Sequence, residues 1–341
     1  MKRILMKVLK IETLWQELER DELSSGLLCK RFSADIKPDI YIALKFPEKL
    51  RCIAARLDSP IDMNIENLNS FRDIKIETID DHQHKDKKIL LILLLDSKYN
   101  DVFAPLCEDL MNQIADITSE NRLINELLAR LAQWQTIFEK YKSLGLSEES
   151  QIGLYGELFF LRKLLSNLNN HRFYINAWKG PDQAVQDFQY SDWAIEVKTT
   201  HGKNHQKIQI TSERQLDTSI IPNIYLYHLS LDIRENKGET LNELVDNILD
   251  LIDADSVASI NFKQKLLNAG YFGNHRTLYS NNGYRIRKER LFTVTETFPR
   301  IIEGQLSGGV GDVRYSIVLE DNVPWKLSAE DLFSKMRQNN A

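Results

Sequence analysis

The stretch VQDFQYSDWAIEVKTTHGKNHQKIQIT, residues 185–211, decides the fold because it reads as strands and yet carries charge where a sheet should pack. If residues 191–192 form a two-residue turn, antiparallel pairing sets Asp187 opposite Glu196. Side chains alternate across a strand, so Lys198 shares the face of these two acids, while the other face is apolar. The register depends on a Ser-Asp turn, which is a weaker signal than Asn-Gly.

Like charges placed directly opposite each other destabilise a sheet, so Asp187 and Glu196 require a neutralising partner. Mg²⁺ would be such a partner, because it takes oxygen ligands and is usually held by one or two carboxylates together with water and substrate phosphate. Lys198 could then orient or activate a water molecule, or balance charge on a phosphate in the transition state. The alternative is a solvent-facing hairpin in which Lys198 simply pairs with a carboxylate.

A further acid interrupts an apolar stripe in QIGLYGELFFLRKLLSNL, residues 151–168. Five leucines at helical spacing form the stripe, and Glu157, three residues after Leu154, lies on the same face. A carboxylate on a buried face is costly unless it is paired or bound to a metal. The alternative is that Glu157 flanks the stripe and pairs at the surface with Arg162 or Lys163.

The composition is that of a globular chain, since 43% of its 341 residues are hydrophobic and 27% are charged. The longest apolar run, residues 89–95, is too short to span a bilayer, and lysines interrupt the basic N-terminus, so we expect a cytoplasmic protein. Three widely spaced cysteines indicate neither a disulfide framework nor a zinc site. The net charge of −5 gives no global attraction to nucleic acid, so phosphate binding would need a local basic patch.

The stretch HRTLYSNNGYRIRKER, residues 275–290, interleaves basic and aromatic residues in a way that suits a nucleic-acid backbone. Strict alternation on a strand puts Arg285 and Arg287 on one face. It puts Lys288 and Arg290 on the other, so a one-sided patch does not follow from the pattern. A solvated edge strand is the alternative reading.

Histidines and glycines give weaker signals. His201 and His205 have the spacing of a helical metal pair, but Gly202 lies between them in a turn, so His201 is predicted to contact phosphate instead. The segment SGGVGD, residues 307–312, lacks the following Lys-Ser/Thr of a phosphate-binding loop and is predicted to be a turn.

Two domains are predicted, with the boundary at the Gly145 stop and Ser147 start of a helix. Residues 1–144 indicate an α+β domain with a helical linker, and residues 145–341 indicate a mixed α/β domain. Strands are predicted at 39–46, 51–57, 87–95, 220–233, 284–301 and 312–321, and helices at 13–21, within 105–168 and at 240–252.

A helical glutamate, then an aspartate, then Glu-x-Lys at the end of a hairpin and a further strand resemble the PD-(D/E)XK nuclease superfamily. Within it, the chain resembles a poorly characterised bacterial family of PD-(D/E)XK members found beside restriction-modification and phage-defence genes. The resemblance covers most of the chain, and its informative motifs lie in residues 150–320. These motifs are GLYGELFFL, WKGP, QDF, EVKTT, IQITSERQL, YFGNHRTLYS, FTVTETFPR and GVGDVRYSI.

The resemblance implies a restriction-endonuclease-like core, a mixed sheet flanked by helices. It implies Asp187, Glu196 and Lys198 as the catalytic triplet, Glu157 as an additional helical acid and Gln215 as an accessory polar residue after the third strand. Metal ligation is implied for the two hairpin acids and for the main chain at Val197, with Mg²⁺ as the cofactor and Mn²⁺ as an alternative.

The chain departs from the superfamily's name at Gln186, which stands where proline would precede Asp187. The literal Pro181-Asp182 lies upstream of the strand and is predicted to be loop.

These inferences predict a Mg²⁺-dependent DNA endonuclease that serves restriction or phage defence. The alternative is a non-catalytic, nuclease-like subunit that binds DNA or a partner. Expected partners are DNA and the proteins of a restriction-modification system or an ATPase, and a dimer is plausible. The N-terminal domain is expected to serve target recognition or assembly.

Overall fold

The computed structural model describes residues 10–58, 73–82, 84–141, 145–182, 184–202, 206–321 and 323–339. The chain divides into two compact units, Met1–Lys142 and Ser143–Ala341. Within the described ranges, no helix has both the length and the apolar character needed to cross a membrane.

The first unit is α+β. Its antiparallel sheet has the strand order β1-β2-β3-β5-β4, and the predicted strands correspond to β2, β3 and β5. The two remaining strands lie at the sheet edges, where alternating or widespread exposure gives a weaker apolar signal. The bounds are α1 Lys10–Leu18, β1 Gly26–Arg31, β2 Ile40–Phe46, β3 Leu50–Leu57, β4 Ile74–Asp80, β5 Lys88–Leu94, α2 Asn100–Ile114 and α3 Glu120–Tyr141.

The second unit is built on a mixed sheet with the order β10-β11-β9-β7-β6, in which β7 and β9 run parallel and the other neighbours run antiparallel. A small antiparallel sheet pairs β8 with β12. The strands are β6 Phe188–Gln189, β7 Trp193–His201, β8 Lys207–Ile210, β9 Asn223–Glu235, β10 Glu239–Thr240, β11 Asn282–Thr293 and β12 Tyr315–Val318. The helices are α4 Glu148–Asn167, α5 His171–Ala177, α6 Leu241–Leu251, α7 Ser256–Asn268 and α8 Ala329–Asn339.

The mixed sheet has two differently covered faces. One face, called here the helix face, carries Ile195 and Val197 of β7 and packs in one core with the apolar side of α4. The opposite face carries Ala194 and Leu226 in a smaller core with the β8–β12 sheet. Residues of even number on β7 and β9 therefore lie on the opposite face, away from α4.

The hairpin of β6 and β7 has the predicted register. Phe188 pairs with Ile195, and Gln189 pairs with Ala194, so continuing the same pairing sets Asp187 against Glu196. The apolar face of this hairpin packs into the core beneath α4, where the rings of Phe188 and Phe160 lie 5.3 Å apart.

Strand β11 differs from its prediction in two ways. It ends at Thr293 rather than continuing to residue 301, because the segment with Pro299 turns away from the sheet. It also contains a β-bulge between Ile286 and Lys288, where Arg287 is an extra residue without a partner in the register with β9.

Candidate active site

Asp187 lies at the start of the hairpin, fixed at both its side chain and its main chain. Its Oδ2 accepts a hydrogen bond from the Val197 N–H at 2.7 Å. Its main-chain carbonyl accepts from the N–H groups of Lys179 and Gly180 at 2.6 and 2.9 Å. The carboxylate is thus held beside the strand that carries the second hairpin acid.

Glu196 is buried, with 1% of its surface exposed. Its Oε1 accepts from Lys198 Nζ at 2.6 Å and from Gln215 Nε2 at 2.7 Å. Its Oε2 is also buried but has no hydrogen-bond partner among the described residues. A buried carboxylate oxygen without a donor is costly, so this atom marks a place where a ligand of positive charge would be stabilising.

Gln215 connects the hairpin to the turn after β8. Besides donating to Glu196, it accepts through Oε1 from Thr211 N at 2.9 Å and from Lys198 Nζ at 3.5 Å. The structure therefore brings the predicted accessory residue into contact with both the acid and the lysine.

Gln186 holds that turn in place and was not predicted to contribute. It is 4% exposed, and its Nε2 donates to the main-chain carbonyls of Arg214 and Gln215, both at 3.2 Å. Proline could not make these bonds, because it has neither a side-chain donor nor an N–H. The sequence does mark Gln186 as unusual, because it stands where the superfamily's name has proline. It does not show which loop the side chain contacts.

Glu157 approaches from α4. Its Oε2 accepts from Trp178 Nε1 at 2.7 Å, and a Cβ built on Gly180 would lie 2.2 Å from that same oxygen and 3.4 Å from Asp187 Oδ1. Both carboxylates therefore lie close to the position that a side chain of Gly180 would occupy, and Gly180 can approach them only because it has no side chain.

The surface pairing considered for Glu157 does not occur. Arg162 instead binds Glu239, with Nη2 at 2.9 Å from Oε2, and Lys163 pairs with Glu289.

The literal Pro-Asp dipeptide lies in the loop, as predicted, within the short turn Gly180–Asp182. Asp182 accepts from Lys265 Nζ at 2.8 Å, and the same ammonium group donates to the Trp178 carbonyl. This acid is therefore engaged in fixing the loop.

The ionisable groups of the cluster all have raised pKa values. Burial, followed by the charge of Asp187, raises the pKa of Glu196 to about 8, and burial raises the pKa of Asp187 to about 6. Burial and the Asp187 charge also raise the pKa of Glu157 well above its ordinary value. Burial alone would lower the pKa of Lys198, but attraction to Glu196 outweighs it and the pKa is raised. Three acids thus surround one lysine.

A divalent cation fits this donor set. Asp187 and Glu196 supply carboxylates, and no described residue donates to Glu196 Oε2. In the described part of the chain, no group of three or more His, Cys, Asp and Glu side chains is arranged to enclose a metal ion. Mg²⁺ does not need such a group, because it keeps several waters and is commonly held by one or two carboxylates. The residues present therefore suit a partly hydrated cation.

The predicted DNA-binding residues do not all lie at the surface. Arg285 and Arg287 are exposed, Lys288 is half-buried, and His201 is exposed at the end of β7. Arg290 is 2% exposed, so as placed it is not available to a phosphate.

The buried guanidinium group of Arg290 is hydrogen-bonded to two other side chains. Its Nε donates to Asp321 Oδ1 at 2.8 Å, and its Nη1 lies 3.2 Å from His228 Nδ1. Its surroundings are those of a structural arginine.

The second unit has a mixed sheet flanked by helices. At one end of this sheet lie a hairpin aspartate, a Glu-x-Lys strand and a helical glutamate. This combination defines a nuclease-like domain of the PD-(D/E)XK type. A family model described as "Putative PD-(D/E)XK family member (DUF4420)" matches residues 11–320, and the chain belongs to this family. No curated protein and no solved structure shows a significant match to the chain.

Proposed function

We propose that this chain is a Mg²⁺-dependent DNA endonuclease that hydrolyses phosphodiester bonds. The observation that carries the proposal is the convergence of Asp187, Glu196 and Lys198 at one end of the sheet, with one buried Glu196 oxygen that receives no hydrogen bond from the part of the chain that the structure describes. Members of the PD-(D/E)XK superfamily are usually nucleases that use divalent cations, which supports the same activity. Mn²⁺ is the alternative cation.

The residues of the chain have separable tasks in this reaction. When bound, the cation would act as a Lewis acid on the phosphate and lower the pKa of a bound water. Asp187 and Glu196 would hold it, together with the main chain at Val197. Lys198 is restrained by Glu196 and Gln215, so its ammonium group is oriented to stabilise charge that develops on the phosphate oxygens. Glu157, fixed by Trp178, completes the acidic cluster from the helix.

The test is cleavage of unmodified DNA with Mg²⁺, by wild type, Asp187→Asn and Lys198→Met, with the proteins encoded beside it present. Asp187→Asn should abolish cleavage, and Lys198→Met should slow it by about 100-fold or more, as for loss of a transition-state donor. DNA binding should survive in both variants, because backbone affinity comes from many phosphate contacts.

Asp192→Asn is the matched control, because Asp192 is a half-buried acid in the turn of the same hairpin, outside the candidate site. It should cleave like wild type. Wild-type protein that binds DNA and never cuts it, or an Asp187→Asn variant as active as wild type, would reject the catalytic assignment and favour a non-catalytic subunit. A role in restriction or phage defence is part of the proposal, supported by the family resemblance, and loss of phage resistance in the Asp187→Asn strain is its test.

A further inference from the structure

The bulge in β11 changes which basic residues share a face of the sheet. Arg285 pairs with Asp232 of β9, and Lys288 pairs with Ser230, although the two basic residues are an odd number of positions apart. Asp232 and Ser230 are two positions apart on β9, so they point to the same side. The extra residue at Arg287 therefore turns Arg285 and Lys288 to one face, which strict alternation would have separated.

This face is the one that carries the candidate active site. Across the sheet, Lys198 of β7 pairs with His228 of β9, and His228 pairs with Arg290 of β11. His228 and Asp232 are both of even number on β9, so the row with Arg285 belongs to the opposite face, away from α4. The basic residues and the catalytic candidates thus point to the same face of the sheet.

Arg234, two residues after Asp232 on β9, points to the same face, and Arg287 contacts Asp232, so we call Arg234, Arg285, Arg287 and Lys288 the basic strip. Attraction to Arg234, with smaller effects of Arg287 and Arg285, lowers the pKa of Asp232. The carboxylate of Asp232 therefore lies among three guanidinium groups and neutralises only part of their charge.

Two side chains of the basic strip, Arg287 and Lys288, are held by nearby structure. Arg287 Nη1 donates to the Gly202 carbonyl at 2.8 Å, which ties the bulge to the end of β7. Lys288 pairs with Asp321, whose other oxygen is held by the buried Arg290 at 2.8 Å. Two strands and a buried arginine thus support cations that remain open to solvent.

We propose that the basic strip binds the sugar-phosphate backbone of duplex DNA away from the bond that is cut. This rests on the proposed function, because it takes the cleaved phosphate to lie at Lys198. Lys198 pairs with His228 of β9, Arg285 pairs with Asp232 four residues further along β9, and β11 lies two strands from β7. At about 3.3 Å per residue along a strand and about 4.8 Å between strands, Arg285 lies roughly 16 Å from Lys198. At about 3.4 Å per base pair, the contact falls about five base pairs from the cleaved phosphate.

The experiment compares two triple variants that lose the same charge. Arg234→Gln/Arg285→Gln/Arg287→Gln removes the three arginines of the strip and keeps Lys288. The control, Arg172→Gln/Lys335→Gln/Arg337→Gln, removes three exposed cations of α5 and α8, which pack on the helix face. Binding to a fluorescent DNA duplex in EDTA is measured from low to high salt. Each lost phosphate contact makes the slope of log affinity against log salt shallower by about 0.9, so the strip variant should lose about 2 to 3 and the control none.

A second measurement locates the contact on the DNA. Methylphosphonate groups about five base pairs from the mapped cleavage site should weaken binding of wild type and have no further effect on the strip variant.

The outcomes separate this proposal from the proposed function. Wild type that cuts DNA, together with a strip variant that keeps the wild-type salt slope, overturns the strip and leaves the nuclease. Equal losses in both triple variants also overturn it, because overall charge would then explain the binding. Wild type that binds through the strip and never cuts keeps the surface and rejects the nuclease.

Discussion

Replacing Glu196 with glutamine in metal-free protein should make the fold more stable at pH 8 and leave it nearly unchanged at pH 5. Glu196 is 1% exposed, and burial together with the Asp187 charge raises its pKa from 4.5 to about 8. The folded state therefore holds the proton more tightly than the unfolded state. The stability contributed by this group is fully present below about pH 4.5 and is lost as the pH rises through 8.

The size of the effect follows from those two pKa values. At about 1.4 kcal/mol for each pH unit between them, the loss from pH 4.5 to pH 8 is at most about 5 kcal/mol, a large part of the stability of an ordinary domain. Glutamine keeps the shape and the acceptor for Gln215 and Lys198, but it does not ionise. The difference in unfolding free energy between variant and wild type should therefore grow with pH.

Urea unfolding in EDTA at pH 5, 6, 7 and 8 measures this difference, and taking it against wild type cancels groups that titrate in both proteins. Adding Mg²⁺ at pH 8 should reverse the order, because a ligand of the folded state stabilises only the protein that binds it. A difference that stays constant from pH 5 to 8 would show that Glu196 ionises normally, and the account of its burial would then be wrong.

Three further changes test the supports of the site. Gln186→Leu and Gln215→Leu should each weaken cation binding measured by calorimetry. The double variant should resemble Gln215→Leu alone, because Gln186 acts through the turn that carries Gln215. Fully additive losses would contradict this. Gly180→Ala should fold, because the Glu157 carboxylate can swing away from the new methyl group, but its cation affinity should fall more than its thermal stability. Asp187→Ala should be less stable without metal than Asp187→Asn by about 1 to 3 kcal/mol in urea unfolding, because only asparagine still accepts from the N–H of β7; equal stabilities would refute the role of that bond.

The fold class and the hairpin could be predicted because both depend on local pattern. Alternation and a two-residue turn are enough to set Asp187 opposite Glu196, and the apolar stripe of α4 is enough to make Glu157 conspicuous. The family match and the mixed sheet confirm the fold class, while the catalytic roles stay predictions.

The supports of the site could not be predicted, because they depend on distant loops. Nothing local to Gln186 indicates that its amide meets the carbonyls of a turn almost thirty residues later. The burial of Arg290 likewise requires Asp321, which follows a separate strand. The bulge at Arg287 cannot be predicted from the sequence of β11 alone, because the extra residue is recognised only from the pairing with β9.

The bulge in β11 adds one residue without changing which residues of β9 pair on either side of it. Deleting Arg287 would restore a regular ladder, and the residues on both sides of it would keep their partners on β9. Under the proposed function, relatives that differ there by a single insertion or deletion would keep the candidate active site and differ in their affinity for DNA. Strand β11 would then be a position where affinity for nucleic acid can evolve separately from catalysis.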